Sequence, residues 1–152
     1  MSLLRKWNRI WTLDGETRLL FAEAYLYLGW ARILLFFPFS RIAFTLGAHM
    51  KETPTVASVE EARVARRISA AVQCVSRHTF WESKCFVRAI SCQRMLRRRG
   101  ISSTLYLGTG RDESGGLAAH AWLRSGALYV SGREEMHRFT VVGTFADSNH
   151  NS

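Results

Sequence analysis

The chain has 152 residues, a length that suits one domain built around a single hydrophobic core. Its composition, 47% hydrophobic and 22% charged, is that of an ordinary globular protein and excludes wholesale disorder. The formal net charge of +9 favours acidic partners, above all an acidic polypeptide. Since no block of Lys and Arg is interleaved with aromatic residues, the sequence does not favour nucleic acid as a partner.

No apolar run of the kind found in a secretory signal peptide opens the chain, and the three cysteines are an odd number. A reduced, cytoplasmic setting is therefore expected. Because the sequence holds neither a CxxC pair nor an HExxH motif, we expect no metal site, and nothing in it indicates a cofactor.

Residues 16–35 carry a strong helical pattern. Apolar residues recur at helical spacing and cover the helix on nearly all sides, so a buried helix is the favoured interpretation. A surface that docks a partner or a membrane is the alternative. A helix that spans a membrane fits poorly, because Glu23 and Arg32 interrupt the apolar stretch and Pro38 breaks it.

A polar break at 51–54 is the predicted internal boundary, and residues 41–46 are expected to add a helical turn or two before it. We expect the whole chain, 1–152, to form one domain. Within it, residues 1–53 would be a helical N-terminal region and residues 54–152 the core that carries the chemistry.

A second long helix is predicted to begin after Ser58, which has the features of an N-cap, with Glu60 and Glu61 in the first turn. Cys74 lies on this helix and is expected to belong to the core. The apolar stripe of the helix has a period near 3.6 residues and consists of Val64, Ile68, Ala71 and Val75.

A third helix is predicted between Ser83, a suitable N-cap, and Gly100, a suitable residue to end it. Cys85 then lies in the first turn, where unpaired backbone N–H groups and the positive end of the helix dipole stabilise a thiolate. The thiolate is the nucleophilic form of cysteine. Cys92 lies two turns further on and is expected to be a small core residue, which is also the alternative interpretation of Cys85.

The second half of the chain predicts short strands and a candidate general base. In the strand at 117–124, His120 and Trp122 point to one side, and Ala121 and Leu123 point to the other. A histidine with satisfied hydrogen bonds in the core is the alternative to a catalytic base. The other strands are expected at 102–108, 127–131 and 139–145, with a polar, glycine-rich loop at 109–116.

A two-residue hairpin turn at 125–126 is predicted to join the His120 strand to the next one. Antiparallel pairing of Arg124 with Ala127 then places Ser131 opposite His120. This register brings a hydroxyl group close to the imidazole from the returning strand.

A helix-start cysteine followed by a strand histidine is the order used by papain-like and transglutaminase-like thiol enzymes. The chain resembles the leader peptidase of lasso-peptide biosynthesis, which belongs to the transglutaminase-like superfamily. The resemblance covers residues 81–145 well, and the helical first half is similar to the stand-alone form of that family. It lies in the motifs Trp81-x-x-x-Cys85-x-x-Arg88-Ala89, Leu96-Arg-Arg-Arg-Gly100 and Ala119-His120-Ala121-Trp122.

The resemblance implies Cys85 as nucleophile and His120 as base. It also implies that the protein removes the leader from a ribosomally made precursor peptide, which a small separate leader-binding protein presents. An ATP-dependent cyclase would then close the macrolactam on the freed amine. The expected fold is α+β, with a helical N-terminal layer around the Cys85 helix and a small antiparallel sheet behind it.

One departure from the family concerns the third catalytic residue. The family commonly has an aspartate in the strand that returns from the hairpin, and no aspartate is present there in this chain. Ser131 falls at that place, with Glu134 or Glu135 as alternatives. A serine hydroxyl can hydrogen-bond the imidazole but carries no charge to stabilise the imidazolium.

Two other functions are compatible with the same residues. Acyl transfer to an amine would pass through the same acyl-enzyme as hydrolysis. A non-catalytic module that binds peptides or lies on a membrane is favoured by the missing aspartate and by the apolar segment 19–37. Nucleic-acid binding is suggested by charge alone.

Overall fold

The computed structural model describes residues 14–79 and 84–148. Helices form most of the first part of the chain and an antiparallel sheet most of the second, which confirms the predicted α+β architecture. In chain order the elements are helix α1 (Gly15–Leu34), helix α2 (Phe39–Ala43), strand β1 (Ala48–His49), helices α3 (Val59–Ser76) and α4 (Cys85–Arg98), strands β2 (Ser103–Arg111), β3 (Leu117–Ser125) and β4 (Leu128–Ser131), a 3-10 helix (Arg133–Arg138) and strand β5 (Thr140–Asp147).

Helix α1 is present as predicted, but it buries one stripe instead of its whole surface. Leu19 and Leu26 on the other side are 73% and 71% exposed. Neither α1 nor any other helix within the described ranges is long and apolar enough to cross a membrane. The stripe packs against α3 and α4 and consists of Leu20, Ala24, Leu28 and Ala31.

Helix α3 begins as predicted, because the Ser58 hydroxyl accepts a hydrogen bond from the backbone N–H of Glu61 at 3.1 Å. The prediction that Cys74 belongs to the core is wrong, since its side chain is exposed. Each helical residue turns the chain by about 100°, so Cys74 lies on the side opposite the buried Val72.

Helix α4 starts at Cys85, with Lys84 at the N-cap position. The expected cap Ser83 and the motif residue Trp81 lie outside the described residues. At the other end Gly100 has φ +71°, the left-handed conformation that was expected to end this helix.

The sheet has the strand order β1-β5-β2-β3-β4, with antiparallel pairs throughout. Strand β5 therefore lies inside the sheet, between β1 and β2. Strand β2 is longer than predicted, because residues 109–111 pair with 117–119 instead of forming a loop. The loop shrinks to a turn in which the Asp112 carboxylate accepts hydrogen bonds from the N–H groups of Ser114 and Gly116.

The turn between β3 and β4 lies one residue later than predicted, at residues 126–127. Gly126 takes φ +57° there, and a bulge after Leu123 shifts the pairing further. Ser131 consequently pairs with Leu123. The predicted register, with Ser131 opposite His120, is wrong.

The two faces of the sheet differ in chemistry, as the predicted alternation along β3 requires. Leu105 and Leu123 pair across β2 and β3 and point into the hydrophobic core with α4; we call this side the core face. Tyr106 and Trp122 also pair, and their rings stack at 5.6 Å between centroids on the other side, the aromatic face. Arg124 belongs to the aromatic face and ties the 51–54 segment to the sheet.

Candidate active site

Cys85 is the first residue of helix α4 and is half-buried against the core. The first N–H groups of a helix lack partners within it, so they and the helix dipole present partial positive charge at this position. No acidic side chain lies in the first turn to oppose them. The position therefore suits a nucleophilic thiolate.

The other two cysteines lie in places that do not suit a nucleophile. Cys92 is 1% exposed, which confirms its predicted place in the core. Burial raises the pKa of its thiol to about 12, and the nearby Arg88 guanidinium opposes that shift only in part. Cys74 is exposed but lies near the C-terminal end of α3, where the helix dipole disfavours an anion.

The His120 side chain lies on the aromatic face and is 7% exposed. Its ring stacks on Trp122 with the centroids 5.7 Å apart, and on Phe139 with the centroids 5.0 Å apart. These two contacts fix the plane of the imidazole, leaving its edges to make hydrogen bonds.

One edge of the His120 ring is bonded to the backbone. Its Nε2 atom lies 2.7 Å from the carbonyl oxygen of Gly132. A carbonyl only accepts hydrogen bonds, so Nε2 carries the proton, and Nδ1 of the neutral ring keeps a lone pair. A lone pair on Nδ1 is what a general base needs to take a proton from a thiol.

Gly132 reaches His120 because it has no side chain. It has φ +78°, and a Cβ atom there would lie 2.6 Å from the carbonyl oxygen of Ala121 and 2.9 Å from Cβ of Trp122. The sequence analysis missed this contact, since a backbone carbonyl has no signature in residue type. The one signal was a glycine directly after the returning strand.

The side chains expected as the third catalytic member are placed differently. Ser131 pairs with Leu123, so the register that pointed its hydroxyl at the imidazole does not hold. Glu134 and Glu135 lie in the first turn of the 3-10 helix and are exposed. A catalytic role for Ser131 or Glu134 stays a prediction.

Contacts at both ends of helix α4 fix its position against the rest of the molecule. At the far end of the helix, Nε of Arg97 donates to the Asp147 carboxylate of β5 at 2.6 Å. From Arg97 back to Cys85 the helix rises about 18 Å, which equals about five or six strand residues. Next to Cys85, the ring of Phe86 lies 6.3 Å from that of Phe39, which in turn lies 6.3 Å from the ring of Phe145 on β5.

The Cys85 and His120 side chains belong to different faces of the sheet. Cys85 packs with the cluster to which the core face contributes, whereas His120 lies on the aromatic face. The thiol and the imidazole are not hydrogen-bonded to each other in this structure. Strand β4 pairs with β3 from Leu123 onward, and the chain leaves that edge at Gly132, next to the His120 ring.

Comparison with known proteins places the chain in a family. A model of the transglutaminase-like superfamily matches residues 33–144, a range that includes Cys85 and His120. A search of curated proteins and a search of solved structures each found no match. The superfamily includes cysteine proteases and transglutaminases, enzymes that work through a cysteine. With the match, the α+β architecture and the helix-start cysteine taken together, the chain belongs to the transglutaminase-like superfamily.

Proposed function

We propose that the protein is a cysteine peptidase that removes the leader from a ribosomally made precursor peptide during lasso-peptide maturation. One observation supports the catalytic part: Cys85 starts a helix that packs on the sheet, and His120 of that sheet has its Nε2 proton held by the Gly132 carbonyl. The choice of substrate is supported by the motifs around these two residues and by the net charge of +9, which suits an acidic leader.

In the proposed reaction, Nδ1 of His120 accepts the proton of the Cys85 thiol, and the thiolate attacks the peptide carbonyl at the leader junction. Backbone N–H groups at the start of α4, that of Cys85 included, stabilise the oxyanion. The amine of the core peptide then leaves with the proton from His120. Water gives a proton to Nδ1 and attacks the thioester, and the proton returns to sulfur as the leader departs.

The Gly132 carbonyl takes the positioning role that an aspartate has in the related enzymes. Its oxygen fixes the tautomer of His120 as a carboxylate does, but it carries a partial instead of a full negative charge. It therefore stabilises the imidazolium less, and we expect slower turnover than from a complete Cys-His-Asp triad.

Catalysis requires the thiol and the imidazole to approach to about 3–4 Å in the substrate complex. The contact of α4 with β3 supports this approach, and their different faces mean that one of them has to move around the edge of β3. The first turn of a helix is held by fewer hydrogen bonds than its interior. We therefore propose that the start of α4 moves between two positions already in the free protein, and that one of them brings the thiol to the imidazole.

The partners follow from the same proposal. A small leader-binding protein would present the precursor to Cys85, and an ATP-dependent macrolactam cyclase would use the amine that cleavage frees. All three proteins would work in the cytoplasm, where the thiol stays reduced.

Cleavage of a lasso precursor peptide that carries its leader, followed by mass spectrometry, tests the function. Cys85→Ala should lower the rate at least about a thousandfold, because it removes the nucleophile. Cys92→Ala removes a thiol from the same helix and should keep most of the activity. A Cys85→Ala protein that still cleaves would remove the case for this enzyme.

Thiol labelling tests whether His120 acts on Cys85 even without a known substrate. Iodoacetamide at neutral pH should label Cys85 faster than the exposed Cys74, and His120→Gln should slow Cys85 about tenfold while leaving Cys74 unchanged. Circular dichroism verifies that the variant stays folded. An unchanged rate at Cys85 in a folded variant shows that the two groups do not meet.

The same experiments also test two alternative functions. The placement of thiol and imidazole on different faces favours a non-catalytic peptide-binding module, for which Cys85 and Cys74 would label equally slowly while peptide binding persists. Acyl transfer would appear as an amide product when an amine is added to the cleavage reaction.

A further inference from the structure

The end of the molecule around helix α2 exposes a group of aromatic side chains. Phe36 and Phe44 are 80% and 90% exposed, and Phe37 and Phe39 are 49% and 48% exposed. They are the exposed phenylalanines of the described ranges, and together we call them the phenylalanine surface. Such a concentration of apolar area on a protein surface indicates an interaction site.

The sequence segment that carries the phenylalanine surface has charges of one sign only. Between Glu23 and Glu52 the sequence contains no acidic residue, whereas Arg32, Arg41 and Lys51 fall within that stretch. The guanidinium carbon of Arg32 lies 5.8 Å from the centre of the Phe36 ring. The segment that projects the rings is therefore also cationic.

Helix α4 adds two more cations beside Phe44. Arg94 and Arg97 both donate to the carbonyl oxygen of Thr45, at 3.2 Å and 2.8 Å. Burial and the neighbouring Arg97 together lower the pKa of Arg94, a sign that positive charge is crowded here. The Asp147 carboxylate bonded to Arg97 offsets part of that charge.

We propose that the phenylalanine surface binds the surface of an anionic lipid bilayer. The rings would enter the boundary between headgroups and acyl chains, and the arginines would contact lipid phosphates. A bilayer suits Phe36 and Phe44 better than a folded partner does, because each ring protrudes almost fully and a fluid surface needs no matching pockets. The binding uses neither Cys85 nor His120, so it is independent of the proposed catalysis.

Sedimentation of the full chain with vesicles tests this proposal. Vesicles of phosphatidylcholine alone are compared with an equimolar mixture of phosphatidylglycerol and phosphatidylcholine. Binding should be strong with the anionic vesicles, weak with the neutral ones, and reduced by salt. Cys85→Ala should bind as the wild type does, which separates this test from that of the peptidase.

Variants then locate the surface. Phe36→Ser and Phe44→Ser should each weaken binding to anionic vesicles about tenfold, because each removes a ring from the bilayer. Arg41→Glu should weaken it at least about fivefold. The matched control is Leu19→Ser, which removes an apolar side chain that is 73% exposed on a different part of the molecule, and it should not change binding.

Three outcomes would overturn the proposal. Equal binding to neutral and anionic vesicles contradicts the role of charge, and equal loss in the Phe44→Ser and Leu19→Ser variants contradicts the location. Binding of an acidic peptide in place of vesicles, with the same dependence on Phe36 and Phe44, would make the surface a peptide-docking site. Circular dichroism confirms that each variant is folded.

Discussion

The core face and the aromatic face of strand β3 are built from alternating residues of the same nine-residue strand, yet they have different tasks. Ala121 and Leu123 pack under α4, where what counts is volume and apolar area. His120 and Trp122 point away, where ring contacts and a hydrogen bond set an orientation. One strand thus packs under the Cys85 helix and holds His120, because successive side chains point to opposite sides.

The difference between the faces also assigns the effects of mutations. On the core face a substitution should lower the free energy of unfolding. The reactivity of Cys85 should then change only to the extent that the protein unfolds. On the aromatic face a substitution near His120 should change the reactivity of Cys85 more than it changes the fold, if the proposed pair forms.

The largest expected effect lies on the core face. Leu123→Ala removes a fully buried side chain and should lower the free energy of unfolding by about 2–5 kcal/mol, measured by urea denaturation. Leu117→Ala is the matched control, since that residue lies on the same strand and side but is 84% exposed. If both variants lose equal stability, the distinction between a packed end and an open end of this face is wrong.

Gly132→Ala tests the aromatic face. The added Cβ meets the Ala121 carbonyl and Trp122, so the Gly132 carbonyl should move away from His120; we expect about tenfold slower Cys85 labelling and a loss of about 1–3 kcal/mol. Gly115→Ala adds similar strain at φ +84° with nothing within 4 Å, and should leave labelling unchanged. Equal labelling in the two variants contradicts the positioning role.

The pH dependence of stability tests whether the Cys92 thiol is shielded from water on the core face. Its folded pKa of about 12 lies above the ordinary value of 9.0, so the unfolded chain loses this proton first. Stability should be intact below about pH 9 and fall above it by up to about 1.4 kcal/mol per pH unit. Urea denaturation at several pH values above 9 measures this loss. The free energy of unfolding should fall less steeply with pH in Cys92→Ala than in the wild type, and as steeply as in the wild type in Cys74→Ala. A wild-type slope in Cys92→Ala would show that this thiol does not titrate as described.

The smallest effect is expected for Ser131→Ala, which tests whether the Ser131 hydroxyl or the Gly132 carbonyl positions His120. Because Ser131 pairs with Leu123 and not with His120, Ser131→Ala should change stability by less than about 0.5 kcal/mol and leave Cys85 labelling unchanged. A loss of labelling as large as in Gly132→Ala would restore Ser131 as the third catalytic member.

The sequence predicted those features that depend on local chemistry. The Ser58 cap, the left-handed Gly100 and the alternation around His120 each follow from one residue and its near neighbours, and each is present. The helix-start position of Cys85 is of the same kind. These features need no knowledge of the rest of the fold.

The features that failed depend on residues distant in sequence or on backbone atoms. A bulge after Leu123 changes the hairpin register, and the residue types around Leu123 do not predict this bulge. Cys74 is exposed because the tertiary packing buries a neighbouring stripe of helix α3 instead of the side that carries Cys74. The contact of Gly132 with His120 uses a carbonyl, an atom that every residue has, so only the folded chain reveals which one is used.

The interior position of β5 has a consequence for synthesis. During translation, β2, β3 and β4 can pair as soon as they leave the ribosome, but β1 has to wait for residues 145–146, its partners about a hundred positions later. Until then the segment before β1 is not anchored to the sheet, and Phe39, whose ring contacts Phe145 of β5 in the folded protein, is open to chaperones and to aggregation. A nascent chain stalled before Thr140 should therefore bind holdases and resist refolding, although its helices are already complete.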